Sequence, residues 1–322
     1  MSNRLLGHSI GGVPTAWGMD TIALGGGKIF YVDSENGADG NSGRDPDSAL
    51  LTVEAAKAVM TTNKNDIMVL IGRATSYGLA AVVDWSLSYS HIVGATPPLG
   101  IGQRARITAS TAVDLGIMWT VSGNGNSFTN VQFNNESDAS ATTGTVYMTG
   151  DRNYFENCYI AGINASGPAA AAGSYCLSLD GAREFEFRNC VIGSTTYARG
   201  AANYTLKMSG SDGTFRDCKI RKWDETSARS MILFTSPSGS SWDTYFIDCI
   251  FYNFSMDNVY PCTNVFDIAA NPTTYYIILK NCTAVNCTGW GNDSGGTGED
   301  RIYIDGAAPT NSTSGIAVKA TS

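Results

Sequence analysis

Residues 155–160 read Phe-Glu-Asn-Cys-Tyr-Ile, residues 187–192 read Phe-Arg-Asn-Cys-Val-Ile and residues 215–220 read Phe-Arg-Asp-Cys-Lys-Ile. Three further copies are more worn: Phe128, Asn130, Val131 and Phe133; Phe246, Asp248, Cys249 and Phe251; and Leu279, Asn281, Cys282 and Ala284. The polar residue of the phrase falls at Asn130, Asn157, Asn189, Asp217, Asp248 and Asn281, so the steps are 27, 32, 28, 31 and 33 residues. A recurrence of that length marks a solenoid or a propeller.

The spacing inside the phrase separates the two. Phe and Asn share one parity, whereas Cys and Ile sit on the other, and one straight strand cannot turn all of them inward. A left-handed bend at the Asn or Asp resolves the conflict, because these side chains tolerate positive φ better than other non-glycine residues. A second apolar column runs in step: Val146 and Met148 before Thr149-Gly150, Leu177 and Leu179 before Asp180-Gly181, Leu206 and Met208 before Ser209-Gly210. Ile232 with Phe234 and Phe266 with Ile268 repeat it more loosely. Short strands in units of about 30 residues, with no helix between them, describe coils of a parallel β-helix, whereas a propeller blade takes about 40 residues. The expected fold is all-β, a right-handed parallel β-helix.

Composition agrees. Of 322 residues, 36 are Gly and only 16% are charged, as suits a chain of many tight bends. The formal charge of -8 and the lack of a Lys/Arg run argue against a nucleic-acid partner. No stretch approaches the length of a membrane-spanning helix. Met1 to Gly18 has no apolar core of signal-peptide length, so the eight cysteines are expected as thiols. Five of them, Cys158, Cys190, Cys218, Cys249 and Cys282, hold one place in successive coils and read as a buried stack. Cys176, Cys262 and Cys287 lie off that column; Cys262, beside Pro261 in an expected loop, is the first place to look for an intermolecular bond.

In chain order, residues 1–27 read as an extended N-terminal arm with Leu5, Leu6, Ile10, Val13, Pro14 and Trp17 as partner-anchoring side chains; a strand folding back over the first coil is the other reading. Residues 28–64 supply a strand (Ile29 to Val32), an Asp/Asn/Gly loop and an amphipathic capping helix from Thr52 to Met60, with Val53, Ala56, Val59 and Met60 on one side. Residues 65–290 are the coils. Residues 291–322 are a C-terminal loop, a strand (Arg301 to Ile304) and a tail, with Trp290 to Gly296 read as loop.

The Tyr31-Val32-Asp33 start, the polar loop and the helix, followed by Asn65 to Leu70, His91-Ile92-Val93-Gly94 and Arg106-Ile107-Thr108, resemble the opening coils of pectin-lyase-like right-handed β-helix proteins. That resemblance, over residues 29 to 290, implies the fold and says little of activity. Asn3 to Gly7, then Gly11-Gly12-Val13-Pro14 and Ala16-Trp17-Gly18, resemble the start of β-helical proteins of tailed-phage virions that are carried near capsid genes.

Sites for chemistry are sparse. Lyases of this fold use an acidic calcium cluster and a basic residue; Asp180, Asp212 and Arg183 stand near turns but not as three acids on one column. Glu184 and Glu186 would lie about 6.6 Å apart on one strand face, with Phe185 and Phe187 inside, and hydrolases need paired carboxylates at about 5 to 9 Å. Asp33, Asp39, Asn41, Asp45 and Asp47 offer oxygen ligands for calcium in a loop that reads more simply as a polar turn. His8 and His91 are too far apart in sequence to support zinc or a catalytic triad. No P-loop or Rossmann fingerprint occurs. The Asn/Asp column reads as bend plus hydrogen-bond ladder. The expectation is therefore a non-enzymatic structural protein with no cofactor or metal; the resemblance to phage proteins implies a head-decoration or capsid-stabilising subunit of a tailed-phage virion, made in the host cytoplasm, binding the major capsid protein or other virion proteins and self-associating as a homotrimer, without nucleic acid or membrane. The alternative is a tailspike or receptor-binding protein that binds or cleaves host polysaccharide, for which Tyr275, Tyr276, Trp242, Trp290 and Tyr303 are the available aromatics.

Overall fold

Each coil of the chain is a strand, a turn, a second strand, a one-residue corner and a third strand, so three parallel sheets of eight, ten and eight strands stack into a prism. The computed structural model describes residues 9–10, 13–14, 27–97, 105–109, 112–138, 144–224, 230–235, 242–255, 260–268, 275–293 and 302–304. Sheet I includes Gly144–Met148, Tyr175–Asp180, Tyr204–Ser209 and Cys262–Ile268; sheet II includes Tyr154–Glu156, Phe185–Arg188 and Gly213–Arg216; sheet III includes Arg106–Ala109, Gln132–Asn135, Tyr159–Ala161 and Lys219–Trp223.

Register is kept from coil to coil. On sheet II, Phe128 pairs with Phe155, Phe155 with Phe187, Phe187 with Phe215 and Phe215 with Phe246. Their rings stack with centroids 4.4, 4.6, 5.1 and 4.8 Å apart. Ile107, Phe133, Ile160, Ile192, Ile220 and Phe251 form the matching column on sheet III, and Val146, Leu177, Leu206, Ile232 and Phe266 that on sheet I. All face one continuous core.

The corner is the left-handed bend that the phrase requires. Asn130, Asn157, Asn189, Asp217, Asp248 and Asn281 have φ of 56, 53, 49, 55, 54 and 51°. At five of these corners the backbone N–H continues the ladder, as in Asn189 N–H to Arg216 O (2.9 Å) and Asp217 N–H to Ile247 O (2.9 Å). The side-chain ladder is partial: Asn189 Nδ2 donates to Asn157 Oδ1 (2.5 Å) and Asn281 Nδ2 to Asp248 Oδ1 (2.6 Å). Among the described residues no side-chain hydrogen bond joins Asp217 to either neighbour in the column; two adjacent carboxylates, Asp217 and Asp248, have no donor to share. We expect Asn189→Ala to cost about 1–2 kcal/mol, the penalty of a left-handed β-carbon plus a lost amide bond. Asn189→Gly should cost about 1 kcal/mol less. Urea midpoints check this, and a glycine variant as unstable as the alanine variant would contradict the role given to the bend.

The column after the corner explains the cysteines. Cys158, Cys190, Cys218, Cys249 and Cys282 are free, and each Sγ donates to a carbonyl in the preceding coil: Phe128 O (3.3 Å), Phe155 O (3.5 Å), Phe187 O (3.3 Å), Phe215 O (3.4 Å) and Phe246 O (3.2 Å). A small, weakly polar side chain fits a buried corner with one carbonyl to satisfy. Burial pushes the Cys190 and Cys218 thiols well up, which suits packing rather than thiolate chemistry at those two positions.

The N-terminal end is closed by the helix Val53–Val59, whose N-cap Thr52 accepts from Ala55 N–H (3.2 Å). Val53, Ala56 and Met60 enter the core, but Val59 is 48% exposed, so it is not on the buried side: Met60 has already left the helix and turns in through its own extended backbone.

Two other expectations are corrected. Residues 290–293 are not loop: Cys287–Asp293 adds a strand to sheet I, and Trp290 is buried against Phe251 and Phe266, where one aromatic side chain outweighs the loop signal of its Gly and Asn neighbours. Cys262 is not in a loop; it begins the strand Cys262–Ile268, is fully buried, and lies in register with Cys287, so it is out of reach of another chain. In the arm, Ser9–Ile10 pairs antiparallel with Val13–Pro14. Leu5, Leu6 and Trp17, and the side chains of Ile10, Val13 and Pro14, lie outside the described residues.

Candidate functional site

The carboxylates that the sequence offers for catalysis are each held by the frame. Glu184 is not on the strand with Glu186 but in a left-handed turn (φ 54°), clamped by Arg152 through Nε (2.7 Å) and Nη2 (2.9 Å). Glu186, on the strand, faces Arg216 at 3.8 Å. The two acids thus address different partners rather than one reacting bond. Asp212 accepts from Glu184 N–H (2.9 Å), and Asp180 accepts from the Tyr147 hydroxyl (2.6 Å). Arg183 N–H donates to Asp151 Oδ1 (2.9 Å) on the neighbouring coil.

The loop from Asp33 to Asp47 uses its oxygens in the same way. Asp33 receives Arg73 Nη2 (2.5 Å) and the N–H groups of Glu35 and Asn36. Burial disfavours its charge, but the guanidinium and these donors outweigh burial and hold the carboxyl well below the usual range. Asp39 accepts from Leu51 N–H, Thr52 N–H and Thr52 Oγ1, Asp45 from Asp47 N–H, and Asn41 donates to Ala49 O. Among the described residues no group of three His, Cys, Asp or Glu side chains is placed to hold a metal ion.

His8 lies outside the described residues, and His91 is buried on sheet II between Ser127 Oγ (2.7 Å) and Asn65 Oδ1 (3.4 Å). Burial pulls its pKa from 6.5 down to about 4. The unfolded chain therefore takes up a proton near pH 6.5 and the folded chain only near 4, so stability is full above that window and falls as pH drops through it. The loss should reach about 3 kcal/mol, and be absent in His91→Gln. Melting midpoints of both proteins between pH 7 and 4, on the order of one pH unit apart, check this; parallel curves would contradict it.

Two outer surfaces combine groups suited to a ligand. On sheet I, Tyr147, Tyr175 and Tyr204 stand on successive coils with Asp180, Lys207 and Asp267. Lys207 Nζ lies 5.3 Å from the Tyr175 ring centroid, and the Tyr204 hydroxyl donates to Asp267 (2.9 Å). Gly144 makes room: a β-carbon there would sit 2.3 Å from the Tyr175 ring. The bond to Asp180, then burial, pushes the Tyr147 hydroxyl up to about 12. These are not the aromatics singled out from sequence. Trp290 is in the core, and Tyr276 and Tyr303 touch each other on sheet II, 5.5 Å between centroids; the side chains of Trp242 and Tyr275 lie outside the described residues.

On sheet III, a cleft of about 270 Å³ is lined by Arg106, Gln132, Asn134, Glu136, Tyr159, Asn164 and Thr196. Arg106, Gln132 and Tyr159 are in register on three coils. Gln132 Oε1 accepts from Arg106 Nε (3.1 Å), and Asn134 links Glu136 Oε1 (2.5 Å) to Asn164 Nδ2 (2.6 Å). Two coils further on, Arg221 reaches back past Gly193 to donate to the Tyr159 hydroxyl (2.9 Å). A β-carbon at Gly193, which has φ of 98°, would collide with Arg221 O at 2.0 Å.

One cluster has no sequence signal at all. Lys222 and Asp224, with side chains 0% exposed, form a buried ion pair at 3.1 Å, beside the equally buried Arg199. Lys222 Nζ also donates to Ser230 O (3.0 Å), and Arg199 Nη1 to Thr205 Oγ1 (3.2 Å). Burial pulls the Lys222 pKa down while Asp224 opposes it.

No family model and no curated protein matches the chain. Solved structures share its shape. A pectate lyase, Pel9A, superposes with a TM-score of 0.55 at 14% identity over 80% of this chain, which spans 64% of that enzyme's length. A pectin methylesterase in complex with a hexasaccharide gives 0.55 at 14% identity, covering 87% of this chain and 90% of that one. The pectin methylesterase PemA from Erwinia chrysanthemi gives 0.54 at 14%, with the same coverage. The chain therefore has the pectin-lyase-like right-handed parallel β-helix fold, one it shares with polysaccharide-processing enzymes. At such identity the likeness is one of fold alone.

Proposed function

We propose that this chain is a non-enzymatic structural protein of a tailed-phage virion, a head-decoration or capsid-stabilising rod that binds the major capsid protein through its N-terminal segment. The observation that carries the non-enzymatic half is the engagement of Glu184 by Arg152 and of Glu186 by Arg216, which divides the acid pair that the sequence offers for hydrolysis between two ion pairs. The virion half is supported by the opening phrase, Asn3 to Gly18, with its resemblance to capsid-associated phage proteins. Self-association is supported by the exposed apolar side chains Tyr245, Ile250 and Val285 (38, 40 and 39% exposed) on the C-terminal coils. Binding of the full chain to particles lacking it, compared with a chain starting at residue 28, tests the anchor. The full chain should bind and the shortened rod should not; equal binding overturns the anchoring role, and cleavage of a polysaccharide by the full chain overturns the non-enzymatic one.

A second reading, a receptor-binding protein that grips host polysaccharide, is favoured by the tyrosine and carboxylate face of sheet I. Tyr147 and Tyr204, with Asp180, Asp267 and Lys207 beside them, suit a carbohydrate's alternating apolar and hydroxyl surfaces, and the buried Tyr175 packs beneath Lys207.

A further inference from the structure

We infer that the sheet III cleft is a binding subsite for a single neutral, vicinal-diol-bearing sugar residue of a glycan. It is a separate wall of the prism from the tyrosine face, and the inference stands whether or not the rod sits on a virion.

The argument rests on what the cleft residues have left to offer. Gln132 and Asn134 are each only 4% exposed, so the floor is a built layer rather than mobile surface. Their amides are engaged with Arg106, Glu136 and Asn164, which fixes those three side chains in the rim. Arg106 uses only Nε in that bond; among the described residues its Nη1 and Nη2 make none. Glu136 uses only Oε1, and Asn164 Oδ1 is buried and accepts from no described residue. The cleft therefore presents a guanidinium fork that donates and a carboxylate that accepts, around about 270 Å³.

Adjacent sugar hydroxyls each donate and accept, so a vicinal diol satisfies a donor fork and a carboxylate together. An acidic sugar would meet Glu136 in a protein of net charge -8. A peptide would want an apolar anchor or an open strand edge, and the cleft has neither. Its volume lies below the range for drug-sized ligands, which suits one ring of a longer chain. Tyr159, only 6% exposed, forms a wall braced by Arg221 rather than an exposed stacking platform, so recognition here is by hydrogen bonds.

The test is saturation-transfer NMR on the full chain with maltohexaose, cellohexaose and mannohexaose, and with hexagalacturonate as the acidic comparison. At least one neutral oligomer should bind, with transfer concentrated on one ring. Arg106→Ala should weaken it about tenfold, as expected for one charge-assisted bond. Glu136→Gln should weaken it as well and keeps the test available if the arginine variant folds poorly; Lys57→Ala on the capping helix should not. No transfer from any neutral oligomer, preference for hexagalacturonate, or binding unchanged in both cleft variants would overturn the inference.

Discussion

Phe187→Ala is expected to lower the free energy of unfolding by about 3–5 kcal/mol, the usual cost of emptying a buried aromatic site. Phe187 is fully buried at the middle of the sheet II column, stacked at 4.6 Å on Phe155 and 5.1 Å on Phe215, with Phe185 edge-on at 5.7 Å. The deletion removes both stacking contacts and opens a cavity that strands held by ladder bonds above and below cannot close. A solenoid's stability is a sum over neighbouring coils, so the damage should also be local. Amide exchange should accelerate most in Tyr154–Glu156, Phe185–Arg188 and Gly213–Arg216. Phe187→Leu should cost less, within about 1.5 kcal/mol, because most of the volume remains. An alanine variant losing under about 1 kcal/mol would mean the column is not close-packed.

Asp224→Ala should be comparably damaging, about 3–5 kcal/mol, for an electrostatic reason. The carboxylate lies 3.1 Å from Lys222, Arg199 bridges to Asp224 through the backbone, and all three side chains are out of water. Without it two buried cations, Lys222 and Arg199, lose the carboxylate beside them. Burial already lowers the Lys222 pKa, so between that lowered value and 10.5 the unfolded variant holds a proton that the folded variant releases. Stability of Asp224→Ala must therefore recover as pH rises through that window. Lys222→Met combined with Asp224→Ala should be milder than Asp224→Ala alone, since one of the stranded charges is gone. Denaturant titrations at neutral and alkaline pH separate these outcomes; a pH-independent loss would contradict the electrostatic origin.

Much of the frame was legible in the sequence because a β-helix repeats its grammar. The parity conflict inside Phe-x-Asn-Cys-x-Ile called for a left-handed corner, and all six predicted corners have it. The Cys column followed from the same spacing, and the capping helix from its own amphipathic pattern over Thr52 to Met60. What stayed hidden was whatever departs from the repeat. Lys222 lies two residues after Ile220 on the inward parity, but a strand reading Lys-Ile-Arg-Lys-Trp looks like polar surface, and its partner Asp224 is what makes burial tolerable, against the opposing charge of Arg199. Trp290 was hidden by glycines on both sides. Glu184 was misplaced because the left-handed turn there breaks the strand that alternation extended through it. The sheet III cleft draws Arg106, Gln132, Glu136 and Asn164 from three coils, so no local motif marks it. The sheet I tyrosines escaped notice for the same reason: Tyr147, Tyr175 and Tyr204 become neighbours only when the coils are stacked in register.

Imaging of intact phage particles at side-chain detail tests the central claim most directly, that this β-helix is a structural rod on a virion head. The account predicts the prism standing on the capsid shell, with Phe128 through Phe246 stacked along it and residues 1–27 against the major capsid protein. The same prism at the tip of a tail, or its absence from the particle, would contradict it.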